Sequence, residues 1–460
     1  MFKTIAAIST PPGKGGVAII RISGGEAIAV TERVFAPISG KRISDYPART
    51  QVYGYVIYNN ERIDDGLVTL FPAPHSYTGE DVCEISCHGG TLVTATVLEA
   101  VFAAGAVPAE SGEFTKRAYI NGRLSLTEAE AIGNLIDARS REEMRLGAEP
   151  ARTRLRKSIE EIRVGMTTLL GSIYARIDYP DEDLGDFTDE ETIAELIGIR
   201  GALNRLIDSY KTGRAITEGV SAVICGKPNV GKSTIYNLVL DEEAAIVTSI
   251  PGTTRDLLER TVPLGRVLLR LADTAGIRSE GADAVEAIGI ERSKNRINSA
   301  ELVIAVFDLS REIDTEDEEL IAAIKDAPGA KICILNKDDG EEKLDTGRLN
   351  CDFDAVIRMS ARDNGDMALS LLTDTVNRLF TDEKISTSTD AVVASARQHA
   401  SLSRAREFID AAITAYSIGM PADAASSDIE LALGAIGELD GRSVSENVVG
   451  DIFSRFCVGK

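Results

Sequence analysis

The sequence predicts a multidomain protein of mixed α/β and α+β class. It comprises a strand-rich N-terminal domain, a discontinuous helical domain, and an α/β domain inserted into the helical one. The 460 residues exceed what one hydrophobic core usually holds. Apolar residues recur at three- and four-residue spacing in two separate stretches, which is typical of amphipathic helices. Between those stretches, apolar strand-like runs alternate with helical patterns, which is typical of a mainly parallel sheet.

Residues 1–120 are predicted to form the strand-rich domain. Glycine, proline and Asn-Asn breaks separate the short β-type runs GVAIIRI, TQVYGYVIY, LVTLF and DVCEISC. The stretch GGTLVTATVLEAVFAAG predicts one helix that belongs to the same domain.

The helical domain is predicted from residues 121–217 and 383–460. Helical spacing is found in LTEAEAIGNLIDARS, LRKSIEEIRVGMTTLLGSIYARI and VASARQHASLSRAREFIDAAITAY. The acidic stretch DYPDEDLGDFTDEE interrupts the first part, and its end is predicted to cap the next helix. Residues 218–382 are the predicted α/β domain. We expect it to be inserted into the helical domain, because the two ends of a domain usually lie close together.

Charge and cysteine content narrow the classes of function. The formal net charge of −22 disfavours nonspecific nucleic-acid binding. The basic stretch from Arg139 to Arg163 leaves two interpretations open: a solvated helix face, which we favour, and a local nucleic-acid surface. The six cysteines are scattered along the chain, and no run approaches the ~18 apolar residues of a membrane span. We therefore expect a reduced, cytoplasmic protein without a membrane segment.

The strongest motif is GKPNVGKS at residues 226–233, between an apolar strand and a helical stretch. It matches the phosphate-binding loop (P-loop) pattern GxxxxGK[ST]. The glycines let backbone N–H groups turn toward phosphates, and the helix N-terminus adds a favourable partial charge. Lys232 is expected to contact the outer phosphates, and the Ser233 hydroxyl is expected to ligate Mg²⁺.

Three later segments follow strand-like runs, and ligands bind at such strand ends in α/β sheets. In DTAG (residues 273–276), Asp273 is expected to hold Mg²⁺ through water, and the Gly276 N–H to meet the terminal phosphate. Asp339 of NKDD is expected to accept hydrogen bonds from N1–H and N2–H₂ of guanine, which adenine cannot donate. Ser360-Ala361 is expected to close over the base. Together with the P-loop, these three segments indicate that the bound nucleotide is GTP.

These motifs resemble those of small GTPases, and GTTRD at residues 252–256 resembles the switch of the TrmE–Era–EngA group. The resemblance implies a Ras-like P-loop GTPase domain. It implies Mg²⁺ ligands at Ser233 and Thr254. It also implies a K⁺ ion held by Asn229, the backbone carbonyl groups of Thr248 and Ile250, and Thr253. The expected GTP-binding residues are Asn229, Val230, Gly231, Lys232, Ser233, Thr234, Thr248, Ser249, Ile250, Pro251, Gly252, Thr253, Thr254, Asp273, Thr274, Ala275, Gly276, Asn336, Lys337, Asp339, Ser360, Ala361 and Arg362.

The residue after DTAG, Ile277, cannot orient an attacking water because its side chain has no hydrogen-bonding group. The resemblance implies that K⁺ replaces the positive charge of an arginine finger. It also implies that Glu286 is catalytic through a bridging water, alongside Lys232. Three alternatives stay open: Glu286 as an exposed acidic residue in a first helical turn, Asn229 as a turn residue, and an internal arginine finger. The finger candidates are Arg255 and Arg278, which the pattern favours less because surface arginines are common in switch loops.

The resemblance extends over nearly the whole chain, to the MnmE (TrmE) family of tRNA-modification GTPases. The matching segments are TPPGKGGVAIIRISG, YTGEDVCEISCHGG, GEFTKRAYINGRLSLTEAEAIGNLIDA, DYPDED and the terminal FCVGK. The family implies a homodimer formed through a tetrahydrofolate-binding N-terminal domain. It also implies a heterotetramer with the flavoprotein MnmG, which adds a carboxymethylaminomethyl or aminomethyl group to C5 of the wobble uridine of certain tRNAs.

Family positions for a one-carbon tetrahydrofolate derivative map onto Arg21, Glu84, Arg123 and Lys460. An ion pair is the alternative interpretation of Arg21 and Glu84. Cys457 is a candidate catalytic nucleophile for C6 of the uridine, and a buried thiol near the folate is the alternative.

Two further possibilities are weighed against the sequence. An RNA-binding GTPase switch in ribosome assembly explains residues 219–380 equally well, but it leaves FCVGK and the first 120 residues unexplained. A metal site at Cys83-x3-Cys87-His88 is disfavoured, because the cysteines fall within a strand-like run and no second ligand pair follows.

Overall fold

The computed structural model describes residues 2–179, 188–244, 259–272, 295–349, 351–360, 365–442 and 446–459. The chain divides into two compact units. Unit 1 comprises Met1–Ile136, Leu170–Pro180 and Met420–Lys460, and unit 2 comprises Asp137–Leu169 and Asp181–Gly419. This division is coarser than the four predicted domains, whose boundaries stay predictions.

Unit 1 contains a seven-stranded sheet in the order β3-β4-β5-β6-β2-β1-β7. Neighbouring strands are antiparallel except β1 and β7. The strands are β1 (Ile5–Ile8), β2 (Val17–Ser23), β3 (Phe35–Pro37), β4 (Gln51–Tyr58), β5 (Glu61–Phe71), β6 (Val82–His88) and β7 (Val107–Pro108). The predicted Asn-Asn break is the turn between β4 and β5, where Asn59 and Asn60 have φ of 49° and 64°.

Two helices, α1 (Ala27–Val34) and α2 (Thr91–Ala103), pack on one face of this sheet. In β6, Cys83, Ile85 and Cys87 point into that core, because side chains alternate between the two faces of a strand. Glu84 and His88 therefore project from the other face. That alternation places the predicted folate-binding carboxylate outside the core.

The other helices of unit 1 follow the sheet or come from the end of the chain. A small core among these helices consists of Leu126, Ala129, Val449, Phe453 and Phe456. The helices are α3 (Glu113–Ile120), α4 (Leu126–Ile136), α12 (Ala422–Asp440), α13 (Glu446–Ser454) and the last part of α6 (Glu149–Asp178).

Unit 2 contains a six-stranded sheet in the order β13-β12-β11-β8-β10-β9. As predicted, it is mainly parallel, since only β9 runs antiparallel to its neighbour among the described strands. Apolar clusters cover both faces, which is usual for a parallel sheet. The strands are β8 (Val220–Cys225), β9 (Glu259–Leu264), β10 (Val267–Ala272), β11 (Leu302–Asp308), β12 (Ala330–Asn336) and β13 (Ala355–Met359).

The helices of unit 2 include one whose start was predicted from an acidic stretch. Thr188 and Glu191 form a capping box at the start of α7, which confirms that prediction. The helices are α5 (Arg141–Gly147), α7 (Asp189–Thr217), α8 (Lys232–Ala244), α9 (Thr315–Lys325), α10 (Gly365–Phe380), α11 (Ala396–Ser417) and the first part of α6.

The basic stretch at residues 139–163 is largely engaged within unit 2. Arg163 Nε donates to Glu160 at 2.8 Å, and Arg154 donates to the carbonyl oxygen of Thr387 at 2.8 Å. This arrangement supports the solvated helix face over a nucleic-acid surface.

The helices in the described ranges include none with the length and apolar character of a membrane span.

Candidate functional site

The P-loop follows β8 and leads directly into α8. Gly226 and Gly231 have φ of +149° and +106°, a backbone region that favours glycine. A Cβ at Gly226 would clash with the Val306 carbonyl oxygen, and one at Gly231 would clash with the Asn336 amide. Both glycines are therefore required by their backbone conformation and by the close approach of β11 and β12.

Lys232 lies at the first position of α8 and folds over the loop. Its Nζ donates hydrogen bonds to the carbonyl oxygens of Gly226 at 2.7 Å and Lys227 at 2.6 Å. Burial lowers the pKa of Lys232 from its ordinary value. The arrangement places an ammonium group and a helix N-terminus at one loop, which suits binding of phosphates.

Three other predicted nucleotide-binding residues are exposed: Asn229 in the loop, and Ser233 and Thr234 in the first turn of α8. Asn229 has a left-handed backbone with φ of 65°, a conformation that asparagine tolerates better than most residues. The structure thus gives Asn229 a turn role and leaves its side chain at the surface of the loop.

The NKDD segment begins where β12 ends, and it contacts the P-loop. The Asn336 side-chain amide donates to the Val230 carbonyl oxygen at 2.7 Å. Lys337 Nζ contacts Asp308 Oδ2 at 2.6 Å, at the end of β11. Burial alone would raise the pKa of Asp308, but hydrogen bonds from Lys337 and Ser310 outweigh it and lower the pKa. The structure therefore joins the ends of three neighbouring parallel strands.

The base-recognition residues that the structure describes are Asp339 and Ser360. Asp339 is exposed, and Ser360 is buried directly after β13. Arg358 contacts Asp338 at 3.0 Å and Glu342 at 2.7 Å, which ties the NKDD segment to β13. Asp339 follows Asp338 directly, and its exposed carboxylate can accept the two hydrogen bonds that guanine donates.

In unit 1, Arg21 and Glu84 lie opposite each other on β2 and β6. Arg21 Nε donates to Glu84 Oε1 at 2.9 Å, and about a fifth of each side chain is exposed (20% and 23%). The Arg21 guanidinium lies 5.4 Å from the Tyr77 ring centroid and 5.7 Å from that of Phe114. The pair therefore presents a cation and a carboxylate beside two aromatic rings.

The C-terminal segment lies beside the Arg21–Glu84 pair. The Gly459 carbonyl oxygen accepts from Ser9 Oγ at 3.0 Å and from Arg21 Nη1 at 3.5 Å. Val458 forms an antiparallel bridge with Ser111. The structure thus brings Arg21, Glu84 and the end of FCVGK together, although they are far apart in sequence.

Comparison with known proteins decides the family. A family model described as "MnmE helical domain" matches residues 126–457, and one described as "GTP-binding protein TrmE N-terminus" matches residues 4–123. The tRNA modification GTPase MnmE of Moorella thermoacetica is 39% identical, with 99% of each chain covered. The protein of the same name from Clostridioides difficile is 37% identical, also with 99% of each chain covered.

The chain belongs to the MnmE family.

Solved structures resemble part of this MnmE-family chain. A crystal structure of an Aquifex aeolicus Era variant bound to GDP·AlF4− is 20% identical, with a TM-score of 0.27, and the match covers 41% of this chain and 66% of that chain. The elongation factor SelB from Methanococcus maripaludis, in complex with the GTP analogue GPPNHP, is 17% identical, with a TM-score of 0.25. That match covers 35% of this chain and 34% of that chain.

Several predicted site residues of this MnmE-family chain lie outside the described residues. Their roles stay predictions. They are Thr248, Ser249, Ile250, Pro251, Gly252, Thr253, Thr254, Asp273, Thr274, Ala275, Gly276, Glu286, Ala361, Arg362 and Lys460.

Arg123 and Cys457, both predicted site residues in the MnmE-family chain, are exposed. The Arg123 side chain borders Gly79, whose Cβ would lie 3.2 Å from Arg123 Cγ. This places it beside the loop that carries Tyr77.

The sequence did not single out Arg117 of this MnmE-family chain, which is 3% exposed. Arg117 contacts Glu80 at 3.0 Å and Glu113 at 2.7 Å, and it donates to the Lys3 carbonyl oxygen at 2.9 Å. A buried arginine with two carboxylates fixes the loop that carries Tyr77. Nothing in the segment GEFTKRA itself marks this arginine as buried, so sequence alone offered no signal.

The Cys83-x3-Cys87-His88 motif does not assemble a metal site in the described part of the MnmE-family chain. Burial raises the pKa of Cys83 to about 12 and that of Cys87 to about 11, which keeps both thiols protonated. His88 projects from the opposite face, and its Nδ1 lies 2.7 Å from Asp64 Oδ1.

Proposed function

We propose that this chain is a potassium-activated GTP hydrolase that acts with the flavoprotein MnmG. Together they would add a carboxymethylaminomethyl or aminomethyl group to C5 of the wobble uridine of certain tRNAs. As a member of the MnmE family, the chain is a tRNA-modifying GTPase. The potassium ion, MnmG and the wobble-uridine chemistry are what the proposal adds.

The observation that carries the GTP part is the contact between the P-loop and the NKDD segment. Asn336 donates to Val230 at 2.7 Å, and Gly231 packs so closely on Asn336 that a Cβ would clash. A loop that binds phosphates is thereby held at a fixed distance from a segment suited to guanine. One nucleotide can bridge the two only if its base and phosphates fit both.

Hydrolysis transfers the γ-phosphoryl group to water and leaves GDP. Lys232 and the P-loop N–H groups would stabilise the charge on the outer phosphate oxygens. Ser233 and Thr254 would hold Mg²⁺, which would neutralise negative charge on the phosphates. Asn229, Thr253 and the carbonyl groups of Thr248 and Ile250 would hold K⁺, which adds positive charge when bound. Glu286 would orient the attacking water through a second water.

A one-carbon tetrahydrofolate derivative would bind at Arg21, Glu84, Arg123 and Lys460. The described donors suit it, because a carboxylate accepts from the amino-pyrimidine edge of a pterin and cations suit its glutamate tail. Tyr77 and Phe114, beside Arg21, add aromatic faces on which a flat ring can stack. The Arg21–Glu84 ion pair is partly exposed, so both groups are within reach of a ligand.

The proposed assembly is a homodimer, and with MnmG a heterotetramer, that acts on tRNA in the cytoplasm. Cys457, which is exposed, would add as thiolate to C6 of the uridine and make C5 nucleophilic. Once C5 has formed its new bond and lost its proton, the thiolate would leave again. This assigns the covalent step to a residue two positions before Gly459.

The test of the function is an analysis of tRNA nucleosides from cells that lack this protein. We expect the C5-modified wobble uridine to disappear, and the intact gene to restore it. A gene carrying Lys232→Ala should fail to restore it, because phosphate binding is lost. Unaltered nucleosides together with defective ribosomal subunits would instead support the RNA-binding switch.

A further inference from the structure

Lys227, the second residue of the P-loop, has a side chain that forms ion pairs with a different helix. Its Nζ contacts the Asp314 carboxylate, and it lies 2.8 Å from Glu316 Oε2. Only 17% of the Lys227 side chain is exposed. Both carboxylates belong to the start of α9, so one lysine connects the P-loop to a different helix.

The backbone of Lys227 connects to the other side of the loop. Its carbonyl oxygen accepts the hydrogen bond from Lys232 Nζ at 2.6 Å. A displacement of Lys227 would therefore displace an acceptor of the ammonium that is proposed to bind the outer phosphates.

The start of α9 is itself firmly held. Asp314 caps the helix by accepting from the N–H groups of Glu316 at 3.1 Å and Asp317 at 3.2 Å. Asp317 is buried, and its carboxylate accepts from Arg311 at 2.7 and 2.8 Å. The hydrogen bond from Lys227 lowers the pKa of Asp314 to about 2, so this carboxylate stays charged near neutral pH.

The segment between β11 and α9 also contacts the NKDD segment, which is expected to bind the base. Asp308, at the end of β11, contacts Lys337 of NKDD at 2.6 Å, and its Oδ1 accepts from Ser310. The segment from Asp308 to Asp314 thus has one end at the NKDD segment and the other at the P-loop.

We propose that Lys227, Asp314 and Glu316 form a brace that positions the P-loop for guanine nucleotide. The brace fixes the first turn of the loop before the nucleotide arrives, so less ordering is required on binding. Lys227 is a positioning residue, since it acts through Lys232 and the loop backbone. This inference rests on the proposed binding of guanine nucleotide at the P-loop.

The test measures affinity and dissociation rate of a fluorescent GDP with the full-length chain. We expect Lys227→Ala to raise Kd about three- to fivefold, mainly through faster dissociation. Lys227→Arg should stay within about twofold of the parent, because arginine can keep both ion pairs. Lys157→Ala is the matched control, since Lys157 pairs with Glu161 on α6, and its removal should leave GDP binding unchanged.

A double variant separates positioning from charge. In Asp314→Asn with Glu316→Gln, the asparagine preserves the helix cap, and two negative charges are removed from the neighbourhood of the phosphates. A brace predicts weaker GDP binding, whereas simple charge compensation predicts equal or tighter binding, which would overturn the proposal.

Salt supplies an independent readout. The Asp314 and Glu316 carboxylates are 51% and 73% exposed, and ion pairs to exposed groups are screened at about 1 M salt, where the Debye length is about 3 Å. The difference in Kd for GDP between the parent and Lys227→Ala should therefore narrow as the NaCl concentration rises, and a difference that stays constant would contradict the brace.

A parent that binds no guanine nucleotide would overturn the proposed function itself. A parent that binds while the variants match it would overturn the brace alone.

Discussion

At the scale of single residues, Asn229 combines two roles, one in the backbone turn of the P-loop and one as a proposed K⁺ ligand. Its φ of 65° satisfies a tight turn, for which asparagine and glycine are suited. Its side chain is exposed on the P-loop, where the family resemblance implies a K⁺ ligand. The turn alone accounts for the residue type, and a substitution that keeps the turn but removes the side chain separates the two roles.

Asn229→Gly keeps the left-handed turn and removes the side-chain oxygen. We expect the parent to hydrolyse GTP at least about tenfold faster in K⁺ than in Na⁺, because the ion stands in for an arginine finger. The variant should lose this difference and still bind GTP. The matched control is Asn60→Gly, another left-handed asparagine at φ of 64° but in unit 1, which should keep the K⁺ response. Equal parental rates in the two salts would remove the proposed role of Asn229.

At the scale of elements, α7 depends on its first residues. Glu191 N–H donates to Thr188 Oγ1 at 3.2 Å, and Thr188 N–H donates to Glu191 Oε2 at 2.8 Å. This pair satisfies two N–H groups that a helix start otherwise leaves without a helical partner. The cap therefore sets where the long helix begins after the acidic stretch.

Thr188→Ala should destabilise α7 by about 1 kcal/mol. The readout is hydrogen exchange of the first turns of α7, which should become faster, together with a lower midpoint of thermal unfolding. Thr188→Ser retains the acceptor oxygen and should behave like the parent. Unchanged exchange in the alanine variant would mean that the cap contributes nothing measurable.

Sequence patterns predicted the elements that are long or strongly periodic, such as α2, β6 and the parallel strands of the second sheet. They missed β1, β3 and β7, because strands of two to four residues are too short to show a period. They also did not predict β9, whose antiparallel pairing with β10 depends on the turn at Gly265 and Arg266.

The candidate sites were predictable where their chemistry is local in sequence. The P-loop and NKDD each carry their own signature, and the structure places both at strand ends. The bond from Asn336 to Val230 spans 106 residues, and the burial of Arg117 depends on groups from three separate segments. Such pairings depend on the tertiary fold, which no local pattern encodes.

At the scale of the whole molecule, unit 1 is assembled from both ends of the chain. Residues Met1–Ile136 and Met420–Lys460 belong to it, whereas the P-loop and NKDD belong to unit 2. The last residues lie against β1 and β2 through Gly459. A change at Gly459 should therefore reach the proposed folate site and leave the nucleotide site unchanged.

Gly459→Ala tests this separation. Gly459 has φ of +97°, and a Cβ there would clash with the Ile8 carbonyl oxygen. The left-handed conformation alone costs about 1–2 kcal/mol for an alanine, so affinity for a tetrahydrofolate should fall roughly tenfold, as measured by calorimetry. GDP affinity should stay at the parental value. Gly450→Ala is the matched control, because Gly450 lies in α13 with nothing within 4 Å of its Cβ position. If Gly459→Ala bound folate as tightly as the parent, the docked C-terminus would have no part in the folate site.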